Sequence, residues 1–464
     1  MQTMQVMNIP HALLKDLQAT PGFNEAAFIR AHEIAAPTSI RLHPVKGKGL
    51  FQEAEKIPWH PDGHYLPERP LFTADPLFHA GAYYVQEASS MLLHYFWQQI
   101  FEGRSHLRVL DLCAAPGGKS TLLASASDSH SLLICNDAIR SRAGILDENI
   151  TRWGYTNTWV TSNDPRDFGR LPGYFDAMLI DAPCSGSGLF RKDPRALDEW
   201  SMEAVNLCAA RQRRILTDAW PCLKENGVLF YATCSYSPEE DEDILSWLEA
   251  EHEVTGIAVD MPLEWGVVPV ASKSGRLTGY RCFPDKVRGE GFFIAALRKN
   301  EAEKSFYYPR FRAAKLRKGE EAARSLLAPA NYTVIEDPRK EAAALFAEHE
   351  PDYHLLNEIV YLRRAGVRLG QATQKDWIPE HDVALSIDLH PSVPRWELTH
   401  EEALRFLRKE ELAVPAGMSK GWYVASYEGR GLGWTKVLAA RVNNYLPKGW
   451  RIRMELPAGG DEGW

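Results

Sequence analysis

The sequence has no apolar run long enough to cross a membrane. Its longest, residues 228–232 and 292–297, fall far short of the about 18 residues a spanning helix needs. Residues 1–17 show no basic start followed by an apolar stretch, so no secretory signal is read. Cysteine is scarce and odd in number, seven in 464 residues, which excludes a disulfide scaffold and points to a reducing, cytoplasmic setting. Positive charge is not in excess: 53 Lys and Arg stand against 61 Asp and Glu, a net charge of −8. A wrapper of nucleic acid is therefore excluded, and any nucleic-acid site must be a local basic patch. Fixed-period repeats and long low-complexity tracts are also missing. What remains is an ordinary globular composition, 45% hydrophobic and 25% charged, rich in Trp with fourteen. At roughly 150 residues per domain the length suggests about three domains.

Residues 1–106 mix helical patterns (25–32 and 87–100) with loops containing Pro and His, such as 58–70. From 107 to 300 the texture changes. Short apolar runs at 107–113, 131–137, 158–164, 175–181 and 227–234 alternate with helical stretches near 118–127, 141–153, 196–223 and 239–252. This alternation predicts a parallel, doubly wound α/β sheet of Rossmann-like type, with 292–297 as a late strand. Residues 304–318, KSFYYPRFRAAKLRK, carry six basic residues, four aromatics and no acid. Within 301–330 this reads as a basic linker or as a phosphate-contacting segment with stacking rings. Residues 331–464 form a further mixed region.

The first apolar run enters a turn of small residues: Asp111, Leu112, Cys113, Ala114, Ala115, Pro116, Gly117, Gly118, Lys119, Ser120. In an open α/β sheet ligands bind at the carboxyl ends of the strands, where small side chains let the backbone approach. Two chemistries compete. The turn is one residue from the phosphate-binding GxxxxGKS loop, with Cys113 in place of the first Gly, which would suit an NTPase. Asp137, closing the second run, instead suits a ribose diol, as in nucleoside-binding Rossmann-like domains. A tight loop beside the methionine moiety and an acid for the ribose are what S-adenosylmethionine requires.

Two cysteines decide between them. Cys184 follows the run ending at Asp181, and Cys234 follows the run ending at Thr233, so both should face one crevice at the strand ends. A single free cysteine is usually a small core residue, the reading given to Cys135 and Cys208. Two that leave neighbouring strands together suit methylation of a pyrimidine at carbon-5. That carbon is not nucleophilic until a thiolate adds at carbon-6, and an acid at ring nitrogen-3 stabilises the charge that develops.

The segments DLCAAPGGKS, NDAIRSRAGILDENITRWG, LIDAPCSGSGLFRKDP and YATCSYSPEEDE resemble the motifs of the Nop/Sun family of RNA cytosine carbon-5 methyltransferases. The resemblance runs from the first strand to residues 289–293. It implies an S-adenosylmethionine-dependent enzyme in which Cys234 is the nucleophile, Cys184 promotes product release and Asp181 contacts the target base. It further implies a cofactor pocket formed by Cys113 to Lys119 with Asp137 on the ribose, Arg142, Asp164 on the adenine edge, and Asp181. No metal site is expected. Residues 38–46, TSIRLHPVK, resemble the family's amino-terminal RNA-facing segment, with His43 where Asn is usual. Residues 84–90, YVQEASS, resemble the start of its pre-catalytic helix. Residues 360–372 and 421–448, anchored by Gly366, Gly370 and Gly431 to Trp434, resemble the carboxyl-terminal extension of bacterial RsmF-type enzymes, which carries a PUA-like RNA-binding module. The organisation expected is thus an N-terminal RNA-facing α/β domain (1–106), a catalytic domain (107–300), the basic linker, and a PUA-like region (331–464). The expected substrate is RNA, foremost small-subunit (16S) ribosomal RNA, with a monomeric enzyme and no membrane partner. The rivals are a tRNA enzyme of the same chemistry and a non-catalytic RNA-binding assembly factor.

Overall fold

Alternate residues along the central strands pack into two different cores, and this period of two organises the molecule. Leu110, Ile134, Met178, Ile180, Leu229 and Tyr231 lie in one buried cluster. Their neighbours Val109, Leu133, Cys135, Leu179, Val228 and Phe230 lie in another. Strands covered on both faces read as continuous apolar runs, which is why they stand out in the sequence. The computed structural model describes residues 8–302, 324–328, 331–337, 341–374 and 376–455.

After helices His11–Leu17 and Glu25–His32, strands β1 (Thr38–Leu42), β2 (Gly63–Leu66) and β3 (Tyr83–Val85) form a small antiparallel sheet in the order β2-β1-β3. Helix Leu92–Phe101 leads into the central sheet. Its first five strands are β4 (Arg108–Asp111), β5 (Leu132–Asn136), β6 (Thr158–Thr161), β7 (Phe175–Asp181) and β8 (Leu223–Thr233). They run parallel in the order β8-β7-β4-β5-β6. Helices Gly118–Ala126, Arg140–Trp153 and Met202–Ala219 lie among the crossovers between them. The order reverses direction at β4, where β5 lies on one side and β7 on the other, so the crevice falls there.

The sheet is mixed rather than wholly parallel. β9 (Val254–Gly256), β10 (Val268–Ala271), β11 (Thr278–Cys282) and β12 (Phe292–Lys299) extend it, and β12 pairs antiparallel with β8. The reason is connection length. Parallel neighbours need a crossover of a dozen or more residues, whereas β10, β11 and β12 follow one another through short loops. The expected helix at 196–223 is also divided. Pro194–Glu199 ends at Trp200 in extended conformation, and Ser201 caps Met202–Ala219 by accepting from the Ala204 N–H at 3.1 Å.

Beyond residue 330 come β13 (Tyr332–Glu336), β14 (Ala342–Phe346), β15 (Leu362–Arg364), β16 (Val367–Ala372) and β17 (Trp377–Pro379). β13-β14-β16-β17 make one four-stranded sheet. A second contains β18 (Arg395–Glu397), β19 (Gly421–Tyr427), β20 (Arg430–Val437) and β21 (Val442–Asn444). β15 does not join either one: it pairs antiparallel with β6 and so extends the central sheet from outside the expected 107–300 segment. Gly366, in the left-handed region at φ 66°, makes the sharp turn after β15, and a Cβ there would meet the Ala344 carbonyl oxygen at 2.0 Å.

Buried ions lock this seam. Asp147, on helix Arg140–Trp153, faces Arg363 and Arg368 at 3.2 Å and Arg364 at 3.7 Å. Arg364 also pairs with Asp382 at 2.6 Å, and Arg368 with Asp337 at 3.2 Å. Among the described residues no helix is long and apolar enough to cross a membrane.

Candidate active site

The crevice at the carboxyl ends of β4, β7 and β8 is a cleft of about 320 Å3. Asp111, Cys113, Ala114, Ala115, Pro116, Gly118, Lys119, Asp181 and Cys234 all line it. The loop after β4 holds its shape through its own backbone. The Leu112 N–H donates to the Leu179 carbonyl and the Ala114 N–H to the Asn136 carbonyl. Gly117 adopts φ 115°, a conformation side chains resist, and starts helix Gly118–Ala126. With the Ala114 N–H committed and Pro116 lacking one, the loop offers few donors to wrap a triphosphate, which argues against the NTPase alternative.

The sulfurs meet as expected. Cys184 Sγ and Cys234 Sγ lie 3.1 Å apart, and both cysteines are free. The register aligns Asp181 with Ala232 on the paired strands, which brings the two loops that follow into contact. The hydrogen bond to Cys234, reinforced by burial, pushes the Cys184 thiol well above its ordinary value. Lys119 is no solvent lysine. Its Nζ is 2.8 Å from Asp181 Oδ2 and lies 5.1 Å from the centre of the Phe292 ring. Burial opposes its charge, but the Asp181 carboxylate overcomes this and holds the ammonium above its usual value. Asp111 is fully buried; burial pushes its carboxyl up to about 7, against a lowering hydrogen bond from Ser120 Oγ at 2.6 Å.

Other expected residues sit beside the cleft rather than in its wall. Asp137 is buried at the end of β5; its Oδ1 accepts from the Ile139 N–H at 2.9 Å. Arg142 stands 3.4 Å from Asp137 Oδ2 and donates to the Ala115 carbonyl at 2.8 Å, which ties this acid to the loop. Asp164 caps the short helix Pro165–Phe168 and faces Arg214 at 3.7 Å. Asp111 Oδ1 is a buried oxygen without a hydrogen-bond partner, and Asp137 Oδ2 has no hydrogen bond beyond its ion pair with Arg142 at 3.4 Å. Buried acceptors left unpaired cost free energy unless a ligand completes them. Two such acids flanking a loop of small residues fit a nucleoside carrying positive charge, as S-adenosylmethionine is.

Three features were not legible beforehand. Glu240 is buried and accepts from the Ser185 N–H at 2.7 Å, Ser185 Oγ at 2.6 Å and Ser235 Oγ at 2.5 Å. Since Ser185 follows Cys184 and Ser235 follows Cys234, one carboxylate ties both cysteine loops together. Gln212 donates to the Pro183 carbonyl at 3.0 Å. Its signal was present: it interrupts the apolar stripe Val205, Ala209, Ile215, Leu216, Ala219 with an amide. Arg41 and His43, in the segment expected to face RNA, point inward instead. Arg41 donates to Gln86 Oε1 at 2.8 Å and Thr121 Oγ1 at 2.6 Å beneath the loop. His43 Nδ1 accepts from the Val45 and Lys46 N–H groups, and its Nε2 bonds the Trp153 carbonyl at 3.0 Å. Burial depresses the His43 pKa, so it is a neutral turn-holder. Cys135 is buried as expected, whereas Cys208 is only half-buried. The basic run at 304–318 lies outside the described residues.

Known proteins resemble this chain in sequence and fold. A family described as 16S rRNA methyltransferase RsmB/F matches residues 98–298. The N-terminal domain of 16S rRNA methyltransferase RsmF matches residues 9–88, and the methyltransferase RsmF PUA domain matches 393–452. Ribosomal RNA small subunit methyltransferase F of Shigella boydii is 32% identical over 409 residues, covering 84% of each chain. The chain belongs to the ribosomal RNA small subunit methyltransferase F family. The Citrobacter koseri member is 31% identical over 412 residues, again covering 84% of each chain. Among solved structures, a methyltransferase homologue from Pyrococcus horikoshii is 26% identical with a TM-score of 0.51, covering 63% of this chain and 100% of that one. NSun6 from Pyrococcus horikoshii shares the fold at 20% identity and a TM-score of 0.52, covering 64% and 100%. Like the rest of its family, the chain is an S-adenosylmethionine-dependent methyltransferase.

Proposed function

We propose that this chain methylates carbon-5 of a cytosine in small-subunit ribosomal RNA, with Cys234 as nucleophile, Cys184 in product release and Asp181 on the target base. The observation that supports the reading is the 3.1 Å approach of the free Cys184 thiol to Cys234, which lines the cleft together with the Lys119–Asp181 pair. S-adenosylmethionine, when bound, supplies the methyl group that carbon-5 takes; Cys113 to Lys119, Asp137, Arg142, Asp164 and Asp181 are the residues assigned to it.

Cys234 as thiolate adds to carbon-6 and pushes electron density toward carbon-5. Lys119 and Cys234 both line the cleft. Asp181, with a proton taken up from solvent, donates a hydrogen bond to ring nitrogen-3, where negative charge develops. Cys184 first acts as a neutral thiol, donating its hydrogen bond to Cys234. With Cys184 beside the adduct to assist, the carbon-5 proton leaves to solvent, its bonding pair re-forms the carbon-5–carbon-6 double bond, and the carbon–sulfur bond breaks to expel Cys234 as thiolate. Residues 1–106 and 331–464 are read as RNA-contacting modules around the catalytic domain, and the enzyme as a cytoplasmic monomer.

The test is a denaturing gel with labelled RNA and S-adenosylmethionine. Cys184→Ala should methylate but stall, trapping RNA as a covalent complex, and Cys184→Ala with Cys234→Ala should not trap. Trapping by Cys234→Ala alone would exchange the two roles, and no trapping by either single variant would remove Cys184 from the chemistry. Bisulfite sequencing of ribosomal RNA and tRNA from a deletion strain checks the substrate.

A further inference from the structure

Three metal-ligating side chains converge at the opposite end of the central sheet from the cleft. His106 lies just before β4, His130 just before β5, and Glu348 in the turn Ala347–His349 that follows β14. One carboxylate serves both imidazoles: His130 Nδ1 is 2.9 Å from Glu348 Oε1, and His106 Nδ1 is 3.6 Å from Glu348 Oε2. The rings stack with centroids 4.8 Å apart and 29° between planes. The nearest donor atoms of all three lie within 4.8 Å of one another, and all three side chains reach solvent. Among the described residues this is the one such set.

Two imidazole nitrogens with one carboxylate oxygen form a borderline donor set, suited to Zn2+ and unlike the all-oxygen shells of Ca2+ or Mg2+. Three protein ligands leave room for water in a fourth position.

We infer that His106, His130 and Glu348 bind one divalent transition cation of the Zn2+ class, which clamps the carboxyl-terminal region to the base of the catalytic sheet. The same seam already holds Arg108 against Asp352 at 2.8 Å and Tyr174 Oη against Asp352 at 2.7 Å. The ion ties together two catalytic-domain loops and one segment beyond residue 330, at the wrong end of the strands to touch the methylated base.

The experiment uses the full chain carrying Cys184→Ser and Cys234→Ser, so that the paired thiols do not bind the probe. Calorimetric titration with ZnCl2 at about pH 8, where imidazole is neutral, should show one equivalent bound. Affinity should fall by at least about 10-fold in His106→Ala, His130→Ala and Glu348→Gln alike. Zn2+ should raise the melting temperature of the parent but not of these variants, and their metal-free melting temperatures check that they fold. Co2+ should give visible ligand-field bands without thiolate charge transfer, lost in the same variants. No binding, or binding that survives all three substitutions, would overturn the inference and leave an exposed His–Glu ion pair.

Discussion

Two buried aspartates, Asp111 in the cleft and Asp382 in the seam, have opposite electrostatic fates. Both are buried, and burial alone raises a carboxyl pKa. Arg364 and Arg368 overcome this at Asp382 and hold it below its usual value. Asp111 has a serine for a neighbour and Asp181 nearby, and it rises to about 7. The seam sets arginines against its buried acids, whereas in the cleft Asp111 Oδ1 has no hydrogen-bond partner.

Substitutions separate the two regions. Cys234→Ala should cost activity at least ~10^3-fold, the scale seen when a covalent nucleophile is removed, with the melting temperature unchanged. Turnover within a few-fold of wild type would end the nucleophile assignment. Asp147→Ala should do the reverse. It removes the one acid that faces Arg363, Arg364 and Arg368 together, leaving Asp382 and Asp337 to the last two, and should destabilise by about 3 kcal/mol in urea denaturation. Cofactor affinity of the folded fraction should stay near wild type; a parallel loss would mean that the seam shapes the cleft.

Asp137→Ala should weaken S-adenosylmethionine binding by about 1.5–3 kcal/mol, as for a hydrogen bond to a charged group, measured by calorimetry. The smallest effect is the pH dependence. Asp111 rises from its ordinary 3.8 to about 7 on folding, so the folded state holds an extra proton between those values. Its contribution therefore lowers stability as pH rises through that window, and the penalty is complete above about pH 7. At Asp382 the folded pKa is depressed, so its stabilisation is present at neutral pH and is lost as pH falls below its unfolded value. A cation in the cleft draws Asp111 back to carboxylate, so cofactor binding near pH 6 should release a proton and tighten with pH by up to about tenfold per unit. Calorimetry in buffers of different ionisation enthalpy measures that proton, and its absence would detach Asp111 from the cofactor.

Contiguous signals were the legible ones. The apolar runs marked strands because a parallel sheet buries both faces, and the loop Cys113 to Lys119 was readable because its small residues are consecutive. Cys184 and Cys234 could be paired from sequence because each follows a strand end, and adjacent parallel strands bring such ends together. Glu240 was harder. It stood inside a motif, but nothing local said that its carboxylate would join Ser185 to Ser235. Arg41 looked like a surface cation and is buried under a loop some eighty residues away in sequence.

The sequence by itself determined the family and the strand ends, because strand ends are local and adjacent parallel strands bring the loops that follow them together. Only the tertiary structure decided how the parts are braced. β15 joining β6, the Asp147 ion cluster and the His106–His130–Glu348 group each depend on segments more than two hundred residues apart. Such contacts leave no periodic mark in either segment, because a single charged or polar residue looks solvent-facing until its distant partner arrives.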